Sequence, residues 1–309
     1  MAASSTELPV VRVICGPTAA GKSALALALC ERFGGAIVSA DSRQVYRGFD
    51  VGTAKPTLAE RAAVPHFGLD VADPTERYSA ARWAQAAEGW LADAAASGRT
   101  PVVVGGTGLY VRALVAPIFE EPPLDAARRS ALQPALAVLS TDELRRWVRS
   151  LDPARAHLGR TQLLRAVEVA LLLGARVSDL HVRRARAPRW DARYLVVDPG
   201  GVLADAIERR VRAMLAAGWA AEVARLTREV PADAPAWNAS GYRVIRRMVE
   251  GEAAEEAAVG LVAIETRQYA KRQRTWFRHQ LPAECVTRLD PRSPHALEAA
   301  SRWWEGAET

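Results

Sequence analysis

The chain has 309 residues, of which 50% are hydrophobic and 25% charged, and its formal net charge is +6. These fractions exclude disordered, collagen-like and disulfide-scaffold chains, and the length predicts about two domain-sized units. The three cysteines are scattered, which argues against a zinc site. No apolar run approaches the roughly 18 residues of a membrane span, and the N-terminus lacks the basic start of a secretion signal. We therefore expect a cytoplasmic protein.

Short apolar runs alternate with helical patterns through the first third of the chain. The β-branched run Val10–Ile14 predicts a buried strand, and the Ala- and Leu-rich stretch Ser23–Phe33 predicts a helix. Further strands are predicted over residues 36–39 and 101–106, with a helix between them capped by Ser79. Continuous apolar strands separated by helices indicate a parallel sheet covered on both faces, so the expected class is α/β.

The pattern changes between about residues 120 and 188, where only helical segments are predicted. Ser140 and Glu143 have the spacing of a capping box, and Thr161–Leu173 predicts another helix. A strand pattern resumes at residues 194–198. We therefore expect an all-helical insertion over 120–192 inside an α/β core made of 1–119 and 193–309.

Two further helices are predicted in the last third of the chain. Asp205 can cap a helix carrying Ile207, Val211 and Leu215, and a long helix is predicted over Glu252–His279. We therefore expect the C-terminal part of the core to be mainly helical.

The most specific motif is a phosphate-binding loop of the form G-x-x-x-x-G-K-[ST], placed between the first strand and the first helix. Its glycines let backbone N–H groups turn inward, the helix adds its positive end, and its serine hydroxyl can bind Mg²⁺. The motif indicates a diphosphate-like group with Mg²⁺ on a P-loop NTPase-like sheet, and it does not specify ATP. Its residues are Gly16, Pro17, Thr18, Ala19, Ala20, Gly21, Lys22 and Ser23.

Two more polar segments follow predicted strands and are expected at the same edge of the sheet. Asp41 comes after the second strand and is either a helix cap or magnesium-linked carboxylate, or a general base facing the phosphate cleft. Thr107 follows the third strand within a glycine-rich segment, which is either a plain turn or a further part of the site.

The long C-terminal helix carries a row of cations. Arg267, Lys271, Arg274 and Arg278 recur at intervals of three or four residues, which puts them on one helical face, and Arg272 lies beside them. A second basic cluster spans residues 183–190. Such rows are often only solvated surface, but the interleaved Tyr, Trp and Phe residues and the positive net charge also suit a nucleic acid.

These features together are similar to the tRNA dimethylallyltransferase family over nearly the whole chain. The resemblance rests on the phosphate loop and on residues 41–56, 70–74, 104–110, 241–243 and 266–277. It implies transfer of a dimethylallyl group from dimethylallyl diphosphate to N6 of adenosine 37, in the anticodon stem-loop of tRNA, with Mg²⁺. The phosphate loop then holds the diphosphate of the prenyl donor.

The same resemblance implies roles for individual residues. Asp41 is implied as the general base, while Lys22, Thr107 and Ser23 with Mg²⁺ stabilise the leaving diphosphate. Arg210 is expected as a further diphosphate contact, or else as an exposed helix charge. The implied tRNA contacts are Asp41, Ser42, Arg43, Gln44, Thr107, Thr161, Gln162, Leu163, Leu164, Arg165, Asn238, Ala239, Ser240, Gly241, Tyr242, Arg243, Arg267, Lys271, Arg272, Arg274 and Arg278.

Three alternatives stay open at the level of sequence. A P-loop kinase for a small metabolite shares the phosphate loop, and a prenyltransferase acting on free adenylate shares the core motifs. An RNA-binding module without activity leaves the phosphate loop unexplained. We expect a monomer, although no sequence signature addresses the oligomeric state.

Overall fold

The computed structural model describes residues 8–116, 124–183 and 187–306. Its internal contacts divide the chain into two units, one made of residues 1–116 with 188–309 and the other of residues 117–187. The boundaries expected from sequence lie within a few residues of this division.

The first unit is built on a six-stranded sheet in which every pair of neighbours is parallel, with the order β3-β2-β4-β1-β5-β6. The strands are β1 (Val10–Cys15), β2 (Gly35–Ser39), β3 (His66–Phe67), β4 (Thr100–Gly105), β5 (Asp191–Val197) and β6 (Val286–Leu289). The four predicted strands and the α/β class are confirmed. The two strands that were not predicted, β3 and β6, form the edges of the sheet.

The described helices flank the sheet or form the second unit. They are α1 (Lys22–Phe33), α2 (Leu58–Ala63), α3 (Ala80–Ala96), α4 (Gly108–Val115), α5 (Ala126–Ala137), α6 (Thr141–Leu151), α7 (Arg160–Leu173), α8 (Val177–Arg183), α9 (Leu203–Ala216), α10 (Trp219–Glu229), α11 (Tyr242–Val249), α12 (Glu255–His279) and α13 (Ala296–Glu305). Within the described ranges, no helix is long and apolar enough to cross a bilayer.

Local sequence signals set most of the helix ends. The Ser79 side chain accepts a hydrogen bond from the Arg82 N–H at the start of α3, as predicted. The predicted helix cap at Asp205 is wrong, because α9 begins at Leu203 after a short 3-10 turn and Asp205 lies inside its first turn. A carboxylate there still favours the helix through its dipole, without capping it.

The parallel register brings four strand ends to one level. Cys15 of β1 lies opposite Gly105 of β4 and Val196 of β5, and Ser39 of β2 lies opposite Val104. The loops that follow β1, β2, β4 and β5 therefore leave the sheet at the same edge, where ligands bind in open α/β sheets.

The second unit has its own small core and, in its described part, no strand. Ser140 and Glu143 form the predicted capping box at the start of α6. The Ser178 hydroxyl and N–H donate to the buried Asp152 carboxylate, at 2.6 and 3.0 Å, which ties α8 to the end of α6. The core side chains are Leu136, Leu144, Val148, Leu163, Ala166 and Val167.

Candidate active site

The phosphate loop is held in a strongly curved conformation. The backbone is left-handed at Gly16 (φ 142°), Ala19 (φ 62°) and Gly21 (φ 83°). A Cβ atom at Gly16 would collide with the Val197 carbonyl at the end of β5. Glycine is therefore required at this position both for its conformation and for the close approach of β5.

The start of α1 offers unpaired donors to an anion. Gly21 caps the helix without any side-chain hydrogen bond, so the first-turn N–H groups keep their donors for a ligand. The Ser23 hydroxyl is exposed, and no hydrogen bond engages it within the described residues. These groups form an anion site with one free oxygen beside it.

Lys22 lies inside the phosphate loop, with its Nζ donating to the Pro17 carbonyl at 2.6 Å. Burial, together with the nearby Arg210 cation, lowers the pKa of Lys22 to about 8, although Asp41 acts in the opposite direction. A diphosphate entering the loop supplies the negative charge that favours the protonated form, so binding and protonation of Lys22 reinforce each other.

The loops after β2 and β4 are joined at Thr107. The Ser42 N–H donates to the Thr107 hydroxyl at 3.0 Å, and the Thr107 hydroxyl donates to Ser42 Oγ at 3.3 Å. Asp41 accepts the Arg43 N–H on one carboxylate oxygen at 2.8 Å, and its other oxygen has no hydrogen-bond partner in the described structure. The structure therefore brings Asp41 and Thr107 together, and it leaves one Asp41 oxygen available as a base.

Gln44, predicted to contact RNA, is instead used inside its own loop. Its amide nitrogen donates to the Thr53 and Ala54 carbonyls at 3.2 and 3.0 Å, and its amide oxygen accepts from Ser39 Oγ at 2.9 Å. Because both ends of the amide are occupied, Gln44 shapes the loop, and its expected RNA contact remains a prediction.

Lys55 and Glu222 stabilise the rest of this loop. Lys55 is almost fully buried and donates to the Tyr46 carbonyl, to Asp50 and to Asp70, at 2.6, 2.6 and 2.5 Å. The Glu222 carboxylate accepts the N–H groups of residues 50, 51 and 52. Residues 41–56, one of the segments that carry the family resemblance, are thus held by internal bonds and form a frame around Asp41.

A cavity of about 430 Å³ opens from the phosphate loop at Thr18 and is bordered by Asp41 and Arg210. Its remaining wall is mixed. The apolar side chains are those of Ile207, Val211, Met214, Trp219, Trp237, Ala239 and Val262, and the polar ones include those of Arg43, Asn238, Arg243, Glu265, Gln268 and Arg272. The cavity therefore combines a charged end next to the phosphate loop with an apolar surface, which suits a phosphorylated hydrocarbon and a planar base.

Arg210 projects from α9 toward this cavity. Among the described residues, no hydrogen bond or ion pair satisfies its guanidinium, and burial lowers its pKa while Asp41 acts to raise it. An arginine stays charged in this setting, so its unpaired charge is available to an anion. This position favours the expected diphosphate contact over the alternative of an exposed helix charge.

Gln273 of α12 is a site residue that the sequence analysis missed. Its amide oxygen accepts the Thr18 N–H and its amide nitrogen donates to the Gly106 carbonyl, both at 2.8 Å. The Thr18 N–H is therefore not free for a phosphate, although the Thr18 side chain lines the cavity. No local spacing could have found a contact that spans 255 residues of sequence.

The basic face of α12 is only partly free. Arg267, Lys271 and Arg278 are exposed, whereas Arg274 forms an ion pair with Asp198 at 2.5 Å and also bonds the Gly200 carbonyl. Arg274 is therefore held in a structural pair, and its expected RNA contact remains a prediction. Arg272 lies over the Tyr269 ring and lines the cavity.

The other expected RNA contacts divide by burial. Thr161, Gln162, Asn238 and Arg243 are exposed, and Ser42, Arg43, Leu164, Arg165 and Ser240 are partly exposed. Leu163, Ala239, Gly241 and Tyr242 are buried, although Ala239 and Gly241 also line the cavity, and the expected contacts of these four residues with tRNA remain predictions. In the second basic cluster, residues 184–186 lie outside the described residues, and Arg189 pairs with Glu88.

The expected Mg²⁺ must be tested against the donors present. No cluster of three or more His, Cys, Asp or Glu residues suited to a metal occurs in the described parts of the chain. Mg²⁺ commonly binds through one or two protein oxygens together with substrate phosphates and water. The free Ser23 hydroxyl beside the anion site fits that mode of binding.

Together, the parallel sheet, the phosphate loop and the cavity define a P-loop enzyme for a phosphorylated substrate. The sequence pattern of the IPP transferase family matches residues 44–280, and that of isopentenyl transferases matches residues 9–66. The chain belongs to the IPP transferase family, as its motifs predict.

Named relatives agree with this assignment. The tRNA dimethylallyltransferase of Anaeromyxobacter sp. (strain K) is 43% identical over 297 residues, covering 94% of this chain and 95% of that protein. The enzyme of the same name from Halorhodospira halophila is 44% identical over 280 residues, covering 87% and 90%.

Solved structures show the same fold. The tRNA isopentenylpyrophosphate transferase of Bacillus halodurans matches with a TM-score of 0.69 and 30% identity over 97% of both chains. A eukaryotic dimethylallyltransferase acting on tRNA matches with a TM-score of 0.77 and 24% identity, covering 95% of this chain and 77% of that one. The second likeness supports the fold alone.

Proposed function

We propose that this chain transfers a dimethylallyl group from dimethylallyl diphosphate to N6 of adenosine 37 in the anticodon stem-loop of tRNA, and releases diphosphate. The observation that carries the proposal is the cavity at Thr18, where the unpaired Arg210 and the free oxygen of Asp41 face one space. Relatives named tRNA dimethylallyltransferase support the reaction class.

The donor diphosphate is proposed to bind at the phosphate loop. The first-turn N–H groups of α1, Lys22 and Arg210 supply positive charge around it. Mg²⁺ on the Ser23 hydroxyl would neutralise further negative charge on the diphosphate. The apolar part of the cavity wall, including Trp219 and Trp237, then receives the hydrocarbon tail.

The chemistry needs an activated electrophile because the lone pair of adenine N6 is delocalised into the ring. The bond between allylic C1 and the diphosphate oxygen breaks, and its electron pair leaves with the diphosphate. A bond forms between N6 and C1, and the N6 proton passes to the free oxygen of Asp41. Donors already directed at the diphosphate stabilise the charge that develops there.

The RNA must present its base to an enclosed carbon. Extruding a stacked base costs a few kcal/mol, which contacts elsewhere on the RNA must offset. The exposed cations Arg267, Lys271 and Arg278 suit backbone phosphates, and Arg43, Arg243 and Arg272 lie at the cavity. Thr161 and Gln162 remain proposed contacts from the second unit.

A tRNA substrate suits a cytoplasmic enzyme, and we propose that the protein acts in the cytoplasm as a monomer.

The decisive experiment incubates the protein with labelled dimethylallyl diphosphate, Mg²⁺ and unmodified tRNA, followed by nucleoside analysis. We expect label in N6-dimethylallyladenosine and its loss when adenosine 37 is replaced. Labelling of AMP in preference to tRNA would point to a free-adenylate prenyltransferase. Phosphoryl transfer from ATP without any prenyl transfer would reject the proposal in favour of a kinase.

A further inference from the structure

Gln273 contacts two loops of the site at once from the middle of α12. Its side chain is 6% exposed, and its amide bridges the Thr18 N–H of the phosphate loop and the Gly106 carbonyl. Thr107, which joins the Asp41 loop, is the next residue after Gly106. One amide group therefore links the part of the site that holds the diphosphate to the part that carries the base.

The surrounding packing leaves little freedom in this link. A Cβ atom at Gly106 would collide with the Gln273 amide nitrogen, and one at Gly108 would collide with the Trp276 ring of the same helix. Helix α12 thus lies directly on the turn between β4 and α4, and two glycines make that approach possible. The spacing between α12 and the turn is set by the contacts at Gln273 and at Trp276, about one helical turn further on.

The bridge needs a side chain with one donor and one acceptor. Thr18 presents an N–H and Gly106 presents a carbonyl, so a primary amide satisfies both. A leucine leaves both backbone groups without a partner, and a buried unsatisfied group is costly. A glutamate in its ionised form still accepts from Thr18, but its second oxygen faces the Gly106 oxygen.

We propose that Gln273 is a positioning residue that fixes the distance between the phosphate loop and the Thr107 turn. It thereby aligns the leaving diphosphate with Asp41, and this part of the inference rests on the proposed function. A displacement of reacting groups by about 1 Å can cost about 100-fold in rate. Loss of the bridge therefore lowers kcat more than it changes the affinity for the donor.

The first test compares Gln273→Leu and Gln273→Glu with the wild type in steady-state prenyl transfer. Gln85→Glu, on the exposed face of α3, makes the same chemical change elsewhere and serves as the control. We expect kcat to fall about 10- to 100-fold in Gln273→Leu, with the donor KM changed less than about threefold. A wild-type kcat in Gln273→Leu overturns the proposal.

The pH profile separates this role from a general loss of stability. The ratio of Gln273→Glu to wild-type kcat should rise as the pH falls from 8.5 to 6, because a protonated carboxyl can donate to the Gly106 carbonyl. Lys22 and Asp41, the charged groups of the two loops, are present in both proteins, so their contribution to the ratio largely cancels. A ratio independent of pH contradicts the bridge.

Hydrogen exchange gives a readout that does not depend on activity. The Thr18 N–H should exchange faster in Gln273→Leu, while amides in β1 and β4 keep their protection. If the wild type transfers no prenyl group but this local change appears, the proposed function fails and the bridge stands. Unchanged Thr18 exchange in an active enzyme rejects the bridge alone.

A second substitution keeps the test decisive if Gln273→Leu folds poorly. Gly106→Ala should displace the Gln273 amide and reduce kcat by itself, but should add little in a Gln273→Ala background. Such non-additivity is expected for residues in contact, whereas simply additive effects would overturn the proposal.

Discussion

The two loops beside the cavity differ in how far their polar groups are hydrogen bonded within the protein. In the loop after β2, both ends of the Gln44 amide and the Lys55 ammonium are bonded to protein atoms. At the end of the phosphate loop, no side chain caps the first-turn N–H groups of α1. The Ser23 hydroxyl makes no hydrogen bond to any other described residue. The first loop is a frame, and the second is built to be completed by a ligand.

Asp41 combines the two kinds of polar group, because one of its carboxylate oxygens is hydrogen bonded and the other is not. One of its oxygens is bonded to the Arg43 N–H and so belongs to the frame, while the other is free at the cavity. An unpaired polar group costs stability, and that cost is sustained where a substrate restores the missing interaction. Polar groups without a hydrogen-bond partner, in a region where the other polar groups have one, therefore indicate where the substrate binds and reacts.

The largest effect is expected when the free carboxylate oxygen of Asp41 can no longer accept a proton. In Asp41→Asn the Arg43 N–H keeps an acceptor, but the side chain can no longer take the N6 proton. We expect prenyl transfer to fall by about 10²- to 10⁴-fold, with tRNA affinity changed less than about threefold. Single-turnover rates and filter binding measure the two effects, with Asp93→Asn as an exposed control. Near-normal turnover in Asp41→Asn would show that another group accepts the proton.

The bonds that hold the loop after β2 can be tested by measuring the free energy of unfolding. Burial alone would raise the pKa of Asp70, but its hydrogen bonds and charge interactions with Lys55 and Arg61 outweigh this and hold the pKa below its usual value. Lys55→Met removes the buried partner of the Tyr46 carbonyl and of Asp70, although Arg61 still pairs with Asp70, so the free energy of unfolding at pH 7 should fall by about 2 kcal/mol. Lys271→Met, on an exposed face, is the matched control.

The pH dependence of that loss follows from the direction of the shift. A carboxylate with a lowered pKa in the folded state contributes stability above its unfolded pKa, and this contribution disappears as the pH falls through the folded value. The difference between wild type and Lys55→Met should therefore shrink below about pH 4. Urea unfolding at several pH values measures it, and a constant difference would argue against the Asp70 pair.

The phosphate loop is tested through Lys22. Because its pKa is about 8 in the unliganded enzyme, its charge is lost as the pH rises above that value. We expect kcat/KM for the donor to fall up to about tenfold per pH unit above pH 8, since this ratio reports groups of the free enzyme. Lys22→Gln should be less active and should lack this decline. A decline that survives in Lys22→Gln would have to come from another group.

The smallest expected effects concern the exposed cations of α12. Replacing Arg267, Lys271 or Arg278 by Gln should weaken tRNA binding modestly and lower the slope of log K against log salt by up to about one. Arg274→Gln should change that slope less, because Asp198 already neutralises Arg274. Equal changes at all four positions would show that Arg274 leaves its pair when RNA binds.

The sequence predicted the interior of the sheet better than its edges. Strands β1, β2, β4 and β5 are continuous apolar runs, and their burial on both faces requires that composition. Strand β3 has only two residues, and β6 contains the exposed Arg288, so neither has a pattern that differs from a loop. Their pairing with β2 and β5 is a tertiary effect.

The site was predictable wherever local rules apply. The spacing of glycines identified the phosphate loop, and the edge rule for parallel sheets predicted that the Asp41 and Thr107 loops come together. Gln273, Trp219 and Trp237 were missed because they reach the site from helices distant in sequence. The partners of Gln44 and Arg274 also depend on the fold, which is why the sequence did not predict these internal bonds.

The chain has 41 basic residues, and only three of them are lysines, at positions 22, 55 and 271. One lies in the phosphate loop, one is enclosed by the Asp41 loop, and one is on the outer face of α12. Biosynthetic incorporation of ¹³C-labelled lysine would therefore place one NMR probe at each of these three places. Donor entry, frame integrity and RNA docking could then be followed as separate resonances in one spectrum.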